Sequence, residues 1–127
     1  MENVQYKDTV PFIPPIHSGK VIKVYDGDTI TVATKLHYDE STLYRFSVRL
    51  KGIDTPELRT KDPLEKENAI LSRDFVSNLI MDKMVELKDV EIEKYGRILA
   101  NVYYDNKNIS DMLLEANLAV KYNGGTK

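Results

Sequence analysis

The chain has 127 residues, no cysteine, two histidines and a formal net charge of −2, with 42% hydrophobic and 30% charged residues. That length fits one domain with a core of its own; the cysteine count excludes disulfide frameworks and thiolate metal sites, and two histidines exclude a histidine-rich zinc centre. No run approaches the roughly 18 apolar residues of a membrane span, and so balanced a charge means that any phosphate contact must come from a local cluster of cations.

Residues 1–18 read as an extended arm stiffened by Pro11, Pro14 and Pro15. Glu2, Lys7 and Asp8 in that arm do not fit a secretory signal, so a cytoplasmic location is expected, with a secreted mature fragment as the other reading. Three strands follow at 20–25, 29–34 and 43–50, carried by Val21, Ile22 and Val24, by Ile30 and Val32, and by Phe46, Val48 and Leu50. Their β-branched content and partial alternation favour strands. Asp26-Gly27 reads as a hairpin turn that uses the tolerance of glycine for positive φ, and the polar stretch 35–42 reads as an exposed loop.

Residues 64–82 read as a helix opened by Asp62-Pro63. Leu71, Phe75 and Leu79 recur every fourth residue as its apolar stripe, with Val76 and Ile80 beside them. Strands are expected at 85–90 and 98–104, with Asp105-Asn106 as a turn. A short helix at 110–116 has Ser110 as its cap, and an extended piece at 118–122 runs into a glycine-containing tail. The order β-β-β-α-β-β-α specifies an α+β fold: a five-stranded barrel of the oligonucleotide-binding (OB-fold) type with attached helices. The expected organisation is an arm over 1–18, one domain over 19–122 and a flexible tail over 123–127.

Three clusters can carry chemistry: Asp26-Gly27-Asp28-Thr29, the run from Arg49 through Asp54-Thr55-Pro56-Glu57, and Glu93-Lys94-Tyr95-Gly96-Arg97. Each has a bland reading as a turn or a turn leading into a strand. Arg49 is the most telling, because a strand arginine directed toward a barrel interior must find anionic partners. Together the clusters match phosphodiester hydrolysis. Fixed cations offset charge growing on phosphorus, and a carboxylate handles the attacking water. Two arginines present forked donors to phosphate oxygens. Two aspartates suit a hard cation held through oxygen, with a backbone carbonyl and waters completing the shell. No Gly-rich phosphate loop, serine elbow or histidine-paired nucleophile competes.

Val48-Arg49-Leu50, the spacer to Asp54, Thr55-Pro56-Glu57 and the later Tyr95-Gly96-Arg97 resemble the signature of the staphylococcal nuclease (thermonuclease) family, over residues 19–122. The resemblance implies a calcium-dependent nuclease that cleaves DNA and RNA with little sequence preference and leaves 3′-phosphate ends. It implies Ca²⁺ held by Asp28, Asp54 and the Thr55 carbonyl, with Asp26 just outside that shell. Arg49 and Arg97 would bind phosphate, Glu57 would act as general base, and Lys94 and Tyr95 would contact a terminal phosphate of bound nucleotide. Residue types alone leave Mg²⁺ and Mn²⁺ open. Relative to the family prototype, residues 29–49 are longer, the segments after Glu57 and before Glu93 are shorter, and the final helix is absent. Of the prototype's two nucleotide-packing tyrosines only Tyr122 has a counterpart. The expected partner is nucleic acid, with no membrane and a monomeric chain. The rival is a non-cutting binding module, which would have no need of the full set of carboxylates and arginines. A structural ion would account for Asp28 and Asp54 but not for Arg49, Glu57 and Arg97.

Overall fold

The computed structural model describes residues 1–122, so the expected tail at 123–127 lies outside it. β1 (Ser18–Asp26), β2 (Thr29–Lys35) and β3 (Leu43–Leu50) form a meander, followed by the two-residue β4 (Ile53–Asp54). α1 (Pro63–Ile80) leads to β5 (Met84–Ile92), β6 (Ile98–Tyr104) and β7 (Lys107–Asn108), and α2 (Ile109–Glu115) precedes β8 (Val120–Lys121). The sheet runs β3-β2-β1-β5-β6-β7, and a parallel pairing of β3 with β6, Val48 opposite Ile98, closes five strands into a barrel. Closure removes the exposed edges that would otherwise invite pairing with other chains.

Alternation along the strands fills the barrel. Val21, Ile30, Val32, Val48, Leu50, Ile98, Ala100 and Val102 all lie in its core, and Val76 and Ile80 of α1 with Ile109 and Leu113 of α2 pack against them. Full burial of such a side chain is worth about 1.5–3 kcal/mol. Ile16, at the end of the N-terminal arm, joins the same core, and the His17 carbonyl accepts a hydrogen bond from Leu87 N.

α1 opens as its sequence predicts: Asp62 caps it by accepting from Leu64 N at 3.0 Å, with Pro63 in the first turn. Its buried face differs from the expected stripe. Ala69, Ser72, Val76 and Ile80 are buried, whereas Leu71 is 53% exposed and Phe75 and Leu79 are only partly covered. The buried face keeps the same four-residue spacing but one position further on, at 72-76-80, which lies about 100° around the helix from 71-75-79. α2 is capped two residues earlier than expected, by Asn108 in place of Ser110. Asn108 accepts from Ser110 N and Asp111 N, while Ser110 lies inside the helix and donates its hydroxyl to the Lys51 carbonyl at 2.8 Å.

The Asp105-Asn106 turn takes positive φ at both residues, 52° and 63°, the conformation that matches the twist of the flanking strands. Two short contacts then fix the end of the described chain. β8 pairs with β4, Asp54 opposite Val120, and Ser72 of α1 donates its hydroxyl to the Leu118 carbonyl at 2.8 Å. Among the described residues no helix is long and apolar enough to cross a membrane.

Candidate active site

Every cluster singled out in the sequence arrives at one rim of the barrel, where a cleft of about 230 Å³ is lined by Asp26, Asp28, Thr29, Arg49, Asp54, Glu57, Glu93, Arg97 and Tyr122. Cross-strand register explains the meeting. Asp26 at the end of β1 stands opposite Thr29, and Thr29 stands opposite Arg49. Asp28 sits in the turn between β1 and β2 and is tied to β3 by its carbonyl, which accepts from Leu50 N at 2.9 Å.

Arg49 does not point into the barrel. Its neighbours Val48 and Leu50 are completely buried in the core, so the period-2 alternation of a strand turns Arg49 to the opposite face, into the cleft. It is nonetheless 8% exposed and has the anionic partners such burial demands: Nη2 lies 3.5 Å from Asp28 Oδ2 and 3.4 Å from Asp54 Oδ1. Its guanidinium also lies 5.0 Å from the centroid of the Tyr122 ring, an attractive cation–π placement. Tyr122 is seated there by its backbone N–H, which donates to the Gly52 carbonyl.

Asp28 is further held by Thr29 Oγ1 at 3.0 Å and by Thr55 N at 3.3 Å. Asp26 accepts from Leu58 N at 3.3 Å, which ties the turn to the loop carrying Glu57. Burial pushes the Asp26 carboxyl above its ordinary range. The Leu58 bond pulls the other way, and the nearby charges of Asp28 and Glu57 add to the rise. Gly27 serves this assembly differently from the expectation. Its φ is not in the left-handed region; instead, a Cβ there would sit 2.8 Å from Ser72 Cβ and 3.1 Å from Thr55 Cγ2. Glycine lets the turn press against α1 and the loop after β4.

Glu57 is exposed and faces both the cleft and a neighbouring groove of about 420 Å³ between α1 and β8. Arg97 also lines the cleft, with Nε bonded to Glu93 Oε1 at 2.9 Å. Sequence reading assigned Glu93 no role, although its spacing of four from Arg97 is the signal of such a pair. Lys94 lies exposed in the single turn Lys94–Gly96, outside the cleft lining, and Tyr95 shares the backbone of that turn. Among the described residues no group of three or more carboxylates and histidines forms a ready-made metal cage. The sequence-derived set is smaller, two carboxylates and the Thr55 carbonyl. Thr55 itself is buried, and its Oγ1 has no hydrogen-bond partner among the described residues.

The family model of staphylococcal nuclease homologues matches residues 47–127. A protein of Escherichia coli named "Uncharacterized endonuclease" is 32% identical over 105 residues, covering 82% of this chain and 60% of that protein. One of the same name in Haemophilus influenzae is 33% identical over 105 residues, 81% of this chain and 51% of its own length. A staphylococcal-like nuclease of Arabidopsis thaliana is 29% identical over 84 residues, 66% of this chain and 24% of the plant protein. The chain thus spans between about a quarter and three fifths of the length of these curated relatives.

Proposed function

The chain belongs to the staphylococcal nuclease homologue family, and on that basis we propose that it is a calcium-dependent nuclease that hydrolyses phosphodiester bonds of DNA or RNA with little sequence preference and leaves 3′-phosphate ends. One observation carries the reading: the cleft is too acidic to admit its substrate unaided. Five carboxylates line it against two guanidinium groups, and both arginines are already engaged by carboxylates. An anionic phosphate enters such a site when a cation balances it.

The donors fit a hard cation. Asp28, Asp54 and the Thr55 carbonyl supply oxygen only, as Ca²⁺ requires, with water and substrate completing the shell. When bound, the ion adds positive charge beside the scissile phosphate. The chain's own residues do the rest. Arg49, clamped by Asp28, Asp54 and the Tyr122 face, has further N–H donors to offer phosphate oxygens. Arg97, anchored through Nε to Glu93, keeps its terminal nitrogens for the same group. Glu57 reaches the cleft from an exposed loop and accepts a proton from the attacking water. The water oxygen bonds to phosphorus, the bond to the 5′-oxygen breaks, and solvent protonates the departing oxygen. Charge gathering on the phosphate oxygens in the transition state is what the arginines stabilise.

Glu57→Gln tests the reading, because glutamine keeps size and most hydrogen bonding but takes no proton. Cleavage of a labelled oligonucleotide with Ca²⁺ present, at matched folded concentration, should fall by roughly 10²–10⁴. Binding measured in chelator should persist. A rate within about threefold of the parent would remove Glu57 from the mechanism, and a parent that binds but never cuts would make the chain a binding module.

A further inference from the structure

A second cleft of about 300 Å³ opens beside the first and shares Asp26, Thr29 and Arg97 with it, but its remaining walls are Lys23, Tyr25, Thr31 and Ser47. These residues form rows across the outer face of β1, β2 and β3. In register, Asp26-Thr29-Arg49 is the row of the candidate active site, Lys23-Thr31-Ser47 the next, and Lys20-Ala33-Arg45 the one after. The residues between the rows, Val21, Ile30, Val32 and Val48, are buried in the core. The rows therefore lie on one solvent-facing surface, with a bulge on β1 at each step keeping Lys20, Lys23 and Asp26 on it.

The chemistry of this face is the reverse of the cleft's. Lys20, Lys23 and Arg45 are exposed, and none is in an ion pair among the described residues. Three free cations on one face of a chain of net charge −2 are a concentrated positive surface. Hydroxyls of Thr31 and Ser47 stand between them, and Tyr25, 44% exposed, offers a ring with Lys23 Nζ 5.7 Å from its centroid. Cations tracking a backbone, interleaved with an aromatic face for a base, are what single strands bind to. Successive rows lie two residues apart along β2, a rise of about 7 Å, on the scale of one nucleotide of an extended strand.

We propose that the outer face of β1, β2 and β3 is the track along which a single-stranded polynucleotide approaches the cleft, with Lys23 in the nearer row and Lys20 and Arg45 in the farther row meeting its phosphates and Tyr25 stacking a base. The track deepens the nuclease reading and rests on it for its substrate class. A duplex does not fit the same role, because its bases are not free to stack on Tyr25.

The test is fluorescence anisotropy of a labelled 12-nucleotide single-stranded DNA titrated with the full chain in excess chelator, over a range of salt. Replacing Lys20, Lys23 and Arg45 together with glutamine should weaken binding at least tenfold. It should also lower the magnitude of the log–log salt slope by about 2, since each phosphate contact on a single strand contributes about 0.7. Tyr25→Ala should weaken binding about fivefold or more with the slope unchanged. Lys107→Gln, in the hairpin of β6 and β7, should change neither. If far-UV circular dichroism shows the triple variant unfolded, Lys23→Gln and Arg45→Gln alone should each lower the slope by about 0.7. Unchanged affinity and slope in the folded variants, or no binding by the parent, would overturn the track. A parent that binds through these three cations and cuts nothing would uphold the track while overturning the nuclease reading.

Discussion

Gly27→Ala is the smallest change that probes how the site is assembled. The new methyl carbon would lie 2.8 Å from Ser72 Cβ, 3.1 Å from Thr55 Cγ2 and 3.3 Å from the Ser72 carbonyl carbon. Unstrained carbons approach to about 3.5–4.0 Å, so the first contact overlaps by close to an ångström. None of the three neighbours can swing away: Ser72 is fully buried on α1 and bonded to the Leu118 carbonyl, and Thr55 is buried beside Asp28. The turn must move, or α1 must. Overpacking of this kind costs about 1–3 kcal/mol, offset by about 0.4–1 kcal/mol because alanine restricts the unfolded chain. A net loss of about 1–2 kcal/mol should lower the urea midpoint by roughly 0.5–1 M at the slopes usual for small domains. The displaced turn carries Asp28, so cleavage per folded molecule should fall as well, toward the roughly 10²-fold that a 1 Å misplacement costs. Urea unfolding followed by circular dichroism, with cleavage rates on the same preparations, provides both numbers. An unchanged midpoint with unchanged cleavage would refute the close-packing account of Gly27.

Two further substitutions separate stability from function at the same rim. Thr55→Val removes a buried hydroxyl that has no partner among the described residues while leaving the backbone carbonyl in place; stability in urea should be unchanged or rise by about 1 kcal/mol, and a loss of more than that would show the hydroxyl to be bonded. Asp26→Asn follows from linkage. A carboxyl whose folded pKa is raised stabilises the fold fully below its ordinary value of 3.8, and that contribution is lost as pH rises through the folded value. Ionised Asp26 is therefore a cost at neutral pH, so Asp26→Asn should have the higher urea midpoint at pH 7. That advantage should shrink toward zero below pH 3.8; an equal advantage at both pH values would contradict it.

The elements legible in the sequence are those with enough residues to show a period. The third strand, residues 43–50, and the sixth, 98–104, coincide with their expected bounds, and the Asp62-Pro63 helix start and the Asp105-Asn106 turn are local chemistry. What escaped was non-local. β4 is two residues long, too short for any alternation, and exists because it pairs with β8, which lies within the extended piece expected at 118–122. The closing contact between β3 and β6 joins segments about fifty residues apart, which no window along the chain contains. The stripe through Leu71 misled because apolar residues outnumbered the buried positions of α1. Ser72, a polar residue at the centre of the buried face, was passed over. It is buried because it bonds the Leu118 carbonyl. At the site, Asp28, Arg49, Asp54, Glu57 and Arg97 were legible as residue types in short motifs. Their mutual geometry was not, including the Tyr122 ring on Arg49, the Glu93 anchor of Arg97 and the closeness that makes Gly27 necessary.

The charge arrangement has a consequence for how binding and chemistry divide. A cleft with more carboxylates than arginines repels a bare phosphate, while the face three strands wide beside it carries Lys20, Lys23 and Arg45, none of them in an ion pair among the described residues. A polynucleotide can then be held on the face by phosphates remote from the scissile one, and the energy of those contacts carries the reacting phosphate against the local repulsion. On the proposed reading, calcium is needed only for that last placement. Removing the ion should abolish cleavage and leave most of the affinity; removing Lys20, Lys23 and Arg45 should do the reverse, raising the substrate concentration needed while sparing the rate at saturation. Were the cleft itself the principal binding site, chelation would strip affinity and activity together, and the outer face would be an ordinary solvated sheet.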